Sequence, residues 1–199
     1  MSQTKILIIG RRLLIYILPL CAVFYVSFGC WRVPKQLWIC EGSYALCTSA
    51  HCIPQPGYPS KSICFCEVVE QGQSVSNIPC IARKPRIDKQ GVTTLLSAFS
   101  YKHSIEGTKL MKCPGKTPWS RCLNKRCTVD PKNPKGAICF CDVIDSDEDW
   151  LTFGGGCDPT TCSKGYWSGS SIASFDKMNI FMKKKLKLEE LPIRWCVIQ

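Results

Sequence analysis

The stretches KSICFCEV (residues 61–68) and KGAICFCDV (residues 135–143) share the order Ile-Cys-Phe-Cys, acid, Val. Ile and Phe alternate with Cys, and this period of two predicts strands over Ser62 to Val69 and Ala137 to Ile144, paired within each repeat. Alternate strand residues point to the same face of a sheet. The two cysteines of each C-x-C pair are therefore expected to bond to two different partners.

Around these stretches the cysteine spacing repeats. The first set is Cys40, Cys47, Cys52, Cys64, Cys66 and Cys80, and the second is Cys113, Cys122, Cys127, Cys139, Cys141 and Cys157. Corresponding cysteines lie 73, 75, 75, 75, 75 and 77 positions apart. This predicts a tandem repeat of one small unit. We call residues 30–81 module 1 and residues 112–163 module 2; residues 82–111 separate them, and residues 164–199 form a basic C-terminal tail.

The chain has 16 cysteines in 199 residues and only 2 histidines. Zinc sites usually contain closely spaced C-x2–4-C pairs with further Cys or His ligands, and C-x-x-C does not occur here. Behind an export signal, regularly repeated cysteines indicate disulfides instead. Cys162 and Cys196 lie beyond the second set and are expected to pair with each other. The predicted fold is small, disulfide-rich and mainly β, with an N-terminal transmembrane helix followed by two six-cysteine modules.

Residues 1–29 are predicted to be a signal anchor. Lys5, Arg11 and Arg12 precede an uncharged run, Leu13 to Gly29, of 17 residues. Basic residues before an apolar run keep the N-terminus in the cytoplasm, so the bulk of this single-pass chain is expected outside it, in a periplasmic, extracellular or lumenal compartment. Two alternatives remain open: cleavage after Gly29, and lipidation at Cys30.

Cys30 is left without a partner when the other cysteines outside the apolar run are paired. An odd cysteine in an oxidising compartment points to an intermolecular bond or a modified thiol. We therefore expect lipidation of Cys30 or a homodimer formed through it.

Charge is distributed unevenly along the chain. Beyond residue 29 there are 23 Lys and Arg against 15 Asp and Glu, a net charge of +8. The basic stretch Lys177 to Lys187 suits an anionic surface, although a solvated helix or strand face explains it as well. In the acidic run Asp142 to Asp149, four carboxylates are candidates for Ca²⁺ binding because this cation prefers oxygen ligands: Asp142, Asp145, Asp147 and Asp149. The run lacks the EF-hand pattern, and a charged hairpin tip is the favoured interpretation.

No catalytic motif stands out. The sequence lacks the G-x-S-x-G, H-E-x-x-H and P-loop patterns. We expect no catalytic residues, no cofactor and no resident metal ion. Nucleic acid is not expected as a partner on the far side of a membrane.

The sequence favours a membrane-anchored binding protein whose stapled loops contact an unidentified protein or surface polymer. The expected contacts are the turns Pro54 to Pro59 and Pro131 to Gly136, with exposed Trp119 and Trp167. One alternative is a structural component of an envelope or virion membrane complex, in which the anchor and Cys30 matter most. A second is a thiol-disulfide oxidoreductase that uses the C-x-C cysteines.

Overall fold

A computed structural model describes residues 36–163 and 166–197. The predicted anchor, residues 1–29, and Cys30 lie outside the described residues. Within the described part of the chain, no helix combines the length and the apolar composition that a bilayer crossing requires.

Thirteen strands are present in the described residues. They are β1 (Trp38–Leu46), β2 (His51–Gln55), β3 (Tyr58–Ser76), β4 (Arg86–Ile87), β5 (Thr93–Leu96), β6 (Lys109–Cys113), β7 (Trp119–Arg121), β8 (Arg126–Asp130), β9 (Asn133–Ile144), β10 (Trp150–Thr152), β11 (Tyr166–Trp167), β12 (Ser170–Ser171) and β13 (Arg194–Trp195). Nine of them form a central sheet in the order β11-β2-β3-β9-β8-β5-β4, in which β1 also pairs with β3 and β7 with β9. The other four form a second sheet, β12-β10-β6-β13.

Helices are few in the same residues. A short α-helix spans Lys102–Ile105, and a longer one, the C-terminal helix, spans Ile172–Leu186. Three 3₁₀ helices connect the strands, at Cys80–Arg83, Gly155–Cys157 and Pro159–Cys162. The prediction of a small, disulfide-rich and mainly β fold is confirmed.

The two Ile-Cys-Phe-Cys stretches pair with each other at the centre of the large sheet. β3 and β9 are antiparallel, and Cys64 lies opposite Cys139. Ile63 lies opposite Phe140, and Phe65 lies opposite Ile138. Exchanging the two stretches reproduces the same set of pairs, so a local two-fold axis passes through the Cys64/Cys139 pair. The sequence predicted pairing within each module; the structure adds this pairing between them.

Each central strand also pairs with two strands of its own half along its outer edge. β1 and β2 line one edge of β3, whose other edge meets β9. In the same way, β7 and β8 line the far edge of β9. The two halves of the sheet therefore have matching connections. The module boundaries and the tandem duplication remain predictions.

Eight cysteines fill the space on one face of this sheet. They are Cys47, Cys52, Cys64, Cys66, Cys122, Cys127, Cys139 and Cys141, each at most 5% exposed. Small side chains such as Ala45, Ala50 and Ala137 surround them. We call this group the cystine core. It takes the place of the large aliphatic residues that usually fill a sheet face.

Four disulfides within the cystine core follow the repeat. Cys47–Cys66 corresponds to Cys122–Cys141, and Cys52–Cys64 corresponds to Cys127–Cys139. The two cysteines of each C-x-C pair bond to different partners, as predicted. The Cys52–Cys64 and Cys127–Cys139 bridges join directly opposed residues of neighbouring strands. They therefore close shorter loops than the other two bridges, with sequence separations of 12 against 19.

The outer cysteines depart from the repeat. Cys40 bonds to Cys80, but Cys113 bonds to Cys162 and Cys157 bonds to Cys196. The expected Cys162–Cys196 pair is therefore wrong. The physical reason is the position of the C-terminal residues: β13 runs parallel to β6, and Cys196 donates its backbone N–H to Leu110. This placement brings Cys196 within bonding distance of Cys157.

A second core, without disulfides, lies under the C-terminal helix. Phe175, Met178 and Met182 recur on one helix face and are at most 4% exposed. They pack with Phe99, Leu151 and further apolar residues of both sheets. The basic stretch of the tail thus belongs to an amphipathic helix whose apolar face is buried.

We predict the outer disulfides from this arrangement. Cleavage of the unreduced protein before Asp158 separates Cys157 from Cys162, so each can be assigned by mass spectrometry. We expect peptides that link Cys113 to Cys162 and Cys157 to Cys196. Recovery of Cys113 linked to Cys157 would contradict the structure.

Candidate functional site

The face of the central sheet opposite the cystine core carries exposed apolar side chains. Because Cys64, Cys66, Cys139 and Cys141 point inward, their neighbours along the strands point outward. Phe65 and Phe140 are each 52% exposed, in the middle of a nine-stranded sheet. An aromatic side chain exposed at the centre of a sheet, rather than at its edge, is unusual, so this face is the candidate contact surface.

Five residues make this apolar surface continuous. Ile53 lies opposite Ile63, which in turn lies opposite Phe140. Phe65 and Ile138 lie opposite each other in the next outward-facing row. The full set is Ile53, Ile63, Phe65, Ile138 and Phe140. Ile53 is 42% exposed, and Ile63 and Ile138 are half-buried. We call these five residues the outer strip. Sequence reasoning missed them, although the alternation that pointed the cysteines inward also pointed these side chains outward.

One end of the outer strip is bounded by a carboxylate surrounded by cations. Asp142 accepts hydrogen bonds from the ammonium groups of Lys61 and Lys125, both at 2.6 Å. The guanidinium of Arg121 lies 3.5 Å from the same carboxylate. Burial alone would raise the pKa of Asp142, but the hydrogen bonds and charges of Lys125 and Lys61 outweigh it and lower this pKa to about 2. Three cations around one carboxylate leave this end positively charged.

A second basic group borders the strip on the side of β8. Arg126 shares its sheet face with Thr128, which lies opposite Ile138. Its guanidinium donates to the backbone oxygens of Ala82 and Lys84. Burial, and then the charge of Arg86, lower the pKa of Arg126. Lys84 and Arg86 are exposed beside it. We call Lys84, Arg86 and Arg126 the basic flank.

The opposite end of the strip has mixed charge. Glu67, which occupies the place of Asp142 in the other copy of the motif, accepts a hydrogen bond from Lys102. Lys102 also lies 3.3 Å from Glu106. The surface around the outer strip is thus basic on two sides and close to neutral on the third.

The predicted contact turns lie at the two ends of this surface. The β2–β3 turn, within Pro54 to Pro59, and the β8–β9 turn, within Pro131 to Gly136, are largely exposed. Since β3 and β9 are antiparallel, the turns point in opposite directions, roughly 40 Å apart at about 3.3 Å per residue. A single partner that contacts both turns must also cover the outer strip.

Neither of the two predicted tryptophans is freely exposed. The prediction for Trp119 is wrong: it is 4% exposed, and its ring stacks on Trp150 with the centroids 6.0 Å apart. β7 holds it against β9, which places it in the interior between the two sheets. Trp167 is half-buried and meets His51 edge-on at 5.2 Å.

The four acidic residues proposed for Ca²⁺ are paired with different cations or stand apart. Asp142 binds Lys61 and Lys125, as described, and Asp149 binds Lys112 at 2.8 Å. Asp147 lies 3.9 Å from Lys116 at the surface, and Asp145 is exposed. The calcium site stays a prediction.

Sulfur atoms form the closest groups of metal-ligand type among the described residues. The Sγ atoms of Cys47, Cys66 and Cys139 lie within 4.8 Å of one another, as do those of Cys52, Cys64 and Cys122. All six belong to disulfides. Metal binding requires thiolates, so these groups are available to a metal only after reduction.

A serine, a histidine and a glutamate lie in line near the short helix. Ser49 Oγ is 2.8 Å from Nε2 of His103, and Nδ1 of His103 is 3.6 Å from Oε2 of Glu106. Burial is the main cause that lowers the pKa of His103. The second distance exceeds a hydrogen bond, and Glu106 also contacts Lys102. The line therefore falls short of the geometry of a nucleophile activated by an oriented base.

Comparisons with protein-family models, with curated proteins and with solved structures give no match for this chain.

We predict that Asp142 stabilises the fold by pairing with its cations. A carboxyl whose folded pKa is lowered contributes stability above its unfolded pKa of about 3.9, and this contribution is lost as the pH falls through the folded pKa. Asp142→Asn should lower the free energy of unfolding by about 1–2 kcal/mol at pH 7, after allowance for partial solvent screening. The difference from wild type should shrink between pH 4 and pH 2. Denaturant titration measures it.

The matched control for this prediction is Asp145→Asn, which removes an exposed carboxylate from the same acidic run. It should change stability by less than about 0.5 kcal/mol. Equal effects of the two substitutions would show that Asp142 gains nothing from Lys61 and Lys125.

Proposed function

We propose that the protein is a membrane-anchored, extracytoplasmic binding protein without catalytic activity, and that its outer strip binds a protein partner. The anchor is residues 13–29, with the N-terminus cytoplasmic. The observation that carries the proposal is the exposure of Phe65 and Phe140 on a sheet face that is rigidly backed by disulfides.

The chemistry of the surface specifies the partner. An apolar centre bordered by positive charge is complementary to an apolar patch with acidic residues around it. An anionic surface polymer would use the basic flank and the cations around Asp142, but it would gain little from three isoleucines. A protein uses both features, which is why we favour a protein.

Rigidity adds to the affinity that this surface can reach. β3 and β9 are held from behind by four disulfides, so few backbone degrees of freedom are lost on binding. Exposed aromatic side chains on such a scaffold are typical of the few residues that dominate the energy of an interface.

The same packing argues against the oxidoreductase alternative. Cys64, Cys66, Cys139 and Cys141 are at most 4% exposed. A catalytic disulfide must be reached by the thiolate of its substrate. The Ser49–His103–Glu106 line, described above, also lacks the geometry for acyl transfer.

The alternative of a structural component in an envelope or virion complex assigns the function to other residues. There, the anchor and a Cys30-linked homodimer would carry the function. Replacing residues 1–29 with an unrelated anchor should abolish activity in that case and preserve binding through the outer strip in ours.

We predict that Phe65→Ser combined with Phe140→Ser weakens the partner complex at least tenfold, because two aromatic side chains leave the centre of the interface. The partner is captured by crosslinking on intact membranes, purified, and titrated against the full-length protein. The control is Ile180→Ser, which removes a 68% exposed apolar side chain from the C-terminal helix and should leave the affinity unchanged.

A second variant separates a protein partner from an anionic polymer or lipid surface. Arg126→Glu with Arg86→Glu should weaken binding and make it less sensitive to salt, since fewer charges are screened. If the charge reversals abolish binding while the serine substitutions leave it unchanged, the partner is an anionic polymer or membrane and the proposal fails.

A further inference from the structure

A cavity of about 390 Å³ lies between the two sheets and the C-terminal helix. The central sheet contributes Trp119, and the second sheet contributes Leu110 and Leu151. The helix closes it with Phe175 and Met178. Well-packed interiors contain few voids larger than a water molecule, so a space of this size calls for an explanation. It falls within the range of small-molecule sites, roughly 300–1,000 Å³.

The walls of the cavity are largely apolar. Six side chains that are at most 4% exposed line it: Phe99, Leu110, Leu151, Phe153, Phe175 and Met178. These residues belong to the second core, which has no disulfides. An apolar molecule placed there would contact aromatic rings and aliphatic chains.

Most of the hydroxyl groups buried in these walls already have partners. Thr152 donates to the backbone oxygen of Ser168, and Ser168 donates to that of Cys47. Ser97 donates to the backbone oxygen of Cys122. These three hydroxyls hold the walls together and are not free for a ligand.

Thr48 is different. Thr48 lines the cavity, and its Oγ1 is shielded from solvent and has no hydrogen-bond partner among the described residues. The backbone oxygen of Thr48 accepts a hydrogen bond from the N–H of Phe153, so the residue is fixed in place. A buried hydroxyl without a partner is costly, and a ligand with one polar group would satisfy it.

Three charged residues line the cavity, and each of them is exposed or half-buried. Arg121 and Glu148 are exposed, and Arg121 is already held near Asp142. The half-buried Asp149 is paired with Lys112 at 2.8 Å. An ionised group of a ligand would find no counter-charge inside the cavity. This excludes fatty-acid carboxylates and phosphates from the interior.

We propose that this cavity binds a neutral, mostly apolar small molecule that carries one hydroxyl or carbonyl group, with Thr48 Oγ1 as its hydrogen-bond partner. None of the five residues of the outer strip lines the cavity, although Arg121 at the mouth of the cavity also lies near Asp142 at one end of that strip. The inference therefore stands independently of the proposed protein partner.

The test uses full-length protein in lipid nanodiscs and a ten-carbon primary alcohol that carries a diazirine. We expect saturable photolabelling of peptides that contain Leu110 or Met178, competed by excess decanol. Met178→Trp fills the cavity and should reduce this labelling at least tenfold. Ile180→Trp, on the exposed side of the same helix, should leave it unchanged.

A second comparison does not depend on filling the core. Thr48→Val keeps the shape of the side chain and removes its hydroxyl. It should weaken competition by decanol at least fivefold while labelling by the matching alkane diazirine stays the same. Labelling that does not saturate, or that Met178→Trp leaves unchanged in a correctly disulfide-bonded protein, would overturn the proposal, as would equal loss of alcohol and alkane in Thr48→Val.

The two proposals fail separately. Phe65→Ser with Phe140→Ser should leave the photolabelling intact, because neither side chain lines the cavity. Loss of labelling in that variant would assign the probe to the outer strip and overturn the cavity site.

Discussion

The pairing of two C-x-C strands, with all four cysteines on one face, is the constraint on which the rest of the structure depends. Cys52, Cys64, Cys139 and Cys127 form one row across four neighbouring strands. Cys47 Sγ lies 3.5 Å from Cys139 Sγ, so the disulfides of the two halves are in direct contact. Covalent bonds and sulfur packing thus replace most of the large side chains on this face. Once the cysteines point inward, the isoleucines and phenylalanines between them have no place except outside.

The sequence predicts features that depend on neighbouring residues better than features that depend on contacts between residues far apart in the chain. The C-x-C spacing is local, so it correctly predicted strands, buried cysteines and bonds to separate partners. The outer bridges are set by where β13 meets β6, a long-range contact with no signal in the spacing. For the same reason, Trp119 was assigned to the surface although Trp150, thirty-one positions later, covers it.

The outer strip and the cavity show two different limits of sequence reasoning. The strip could have been predicted, since the period of two that buries Cys64 exposes Phe65. The cavity could not, because its walls come from segments between Cys47 and Met178 that only the fold brings together. Disulfides replace an apolar interior only at the central sheet, whereas the region under the C-terminal helix buries aromatic and aliphatic side chains.

The local two-fold axis between Cys64 and Cys139 has a consequence for assembly. A polypeptide with a single copy of the motif would offer its free strand edge to an identical molecule, in the same antiparallel register, and the product would be a symmetric homodimer. Joining both copies in one chain makes that encounter intramolecular and independent of concentration. The two copies of the motif also carry different neighbours, so the two ends of the sheet differ in charge. One chain can therefore present an asymmetric surface, whereas a symmetric dimer would carry every feature twice.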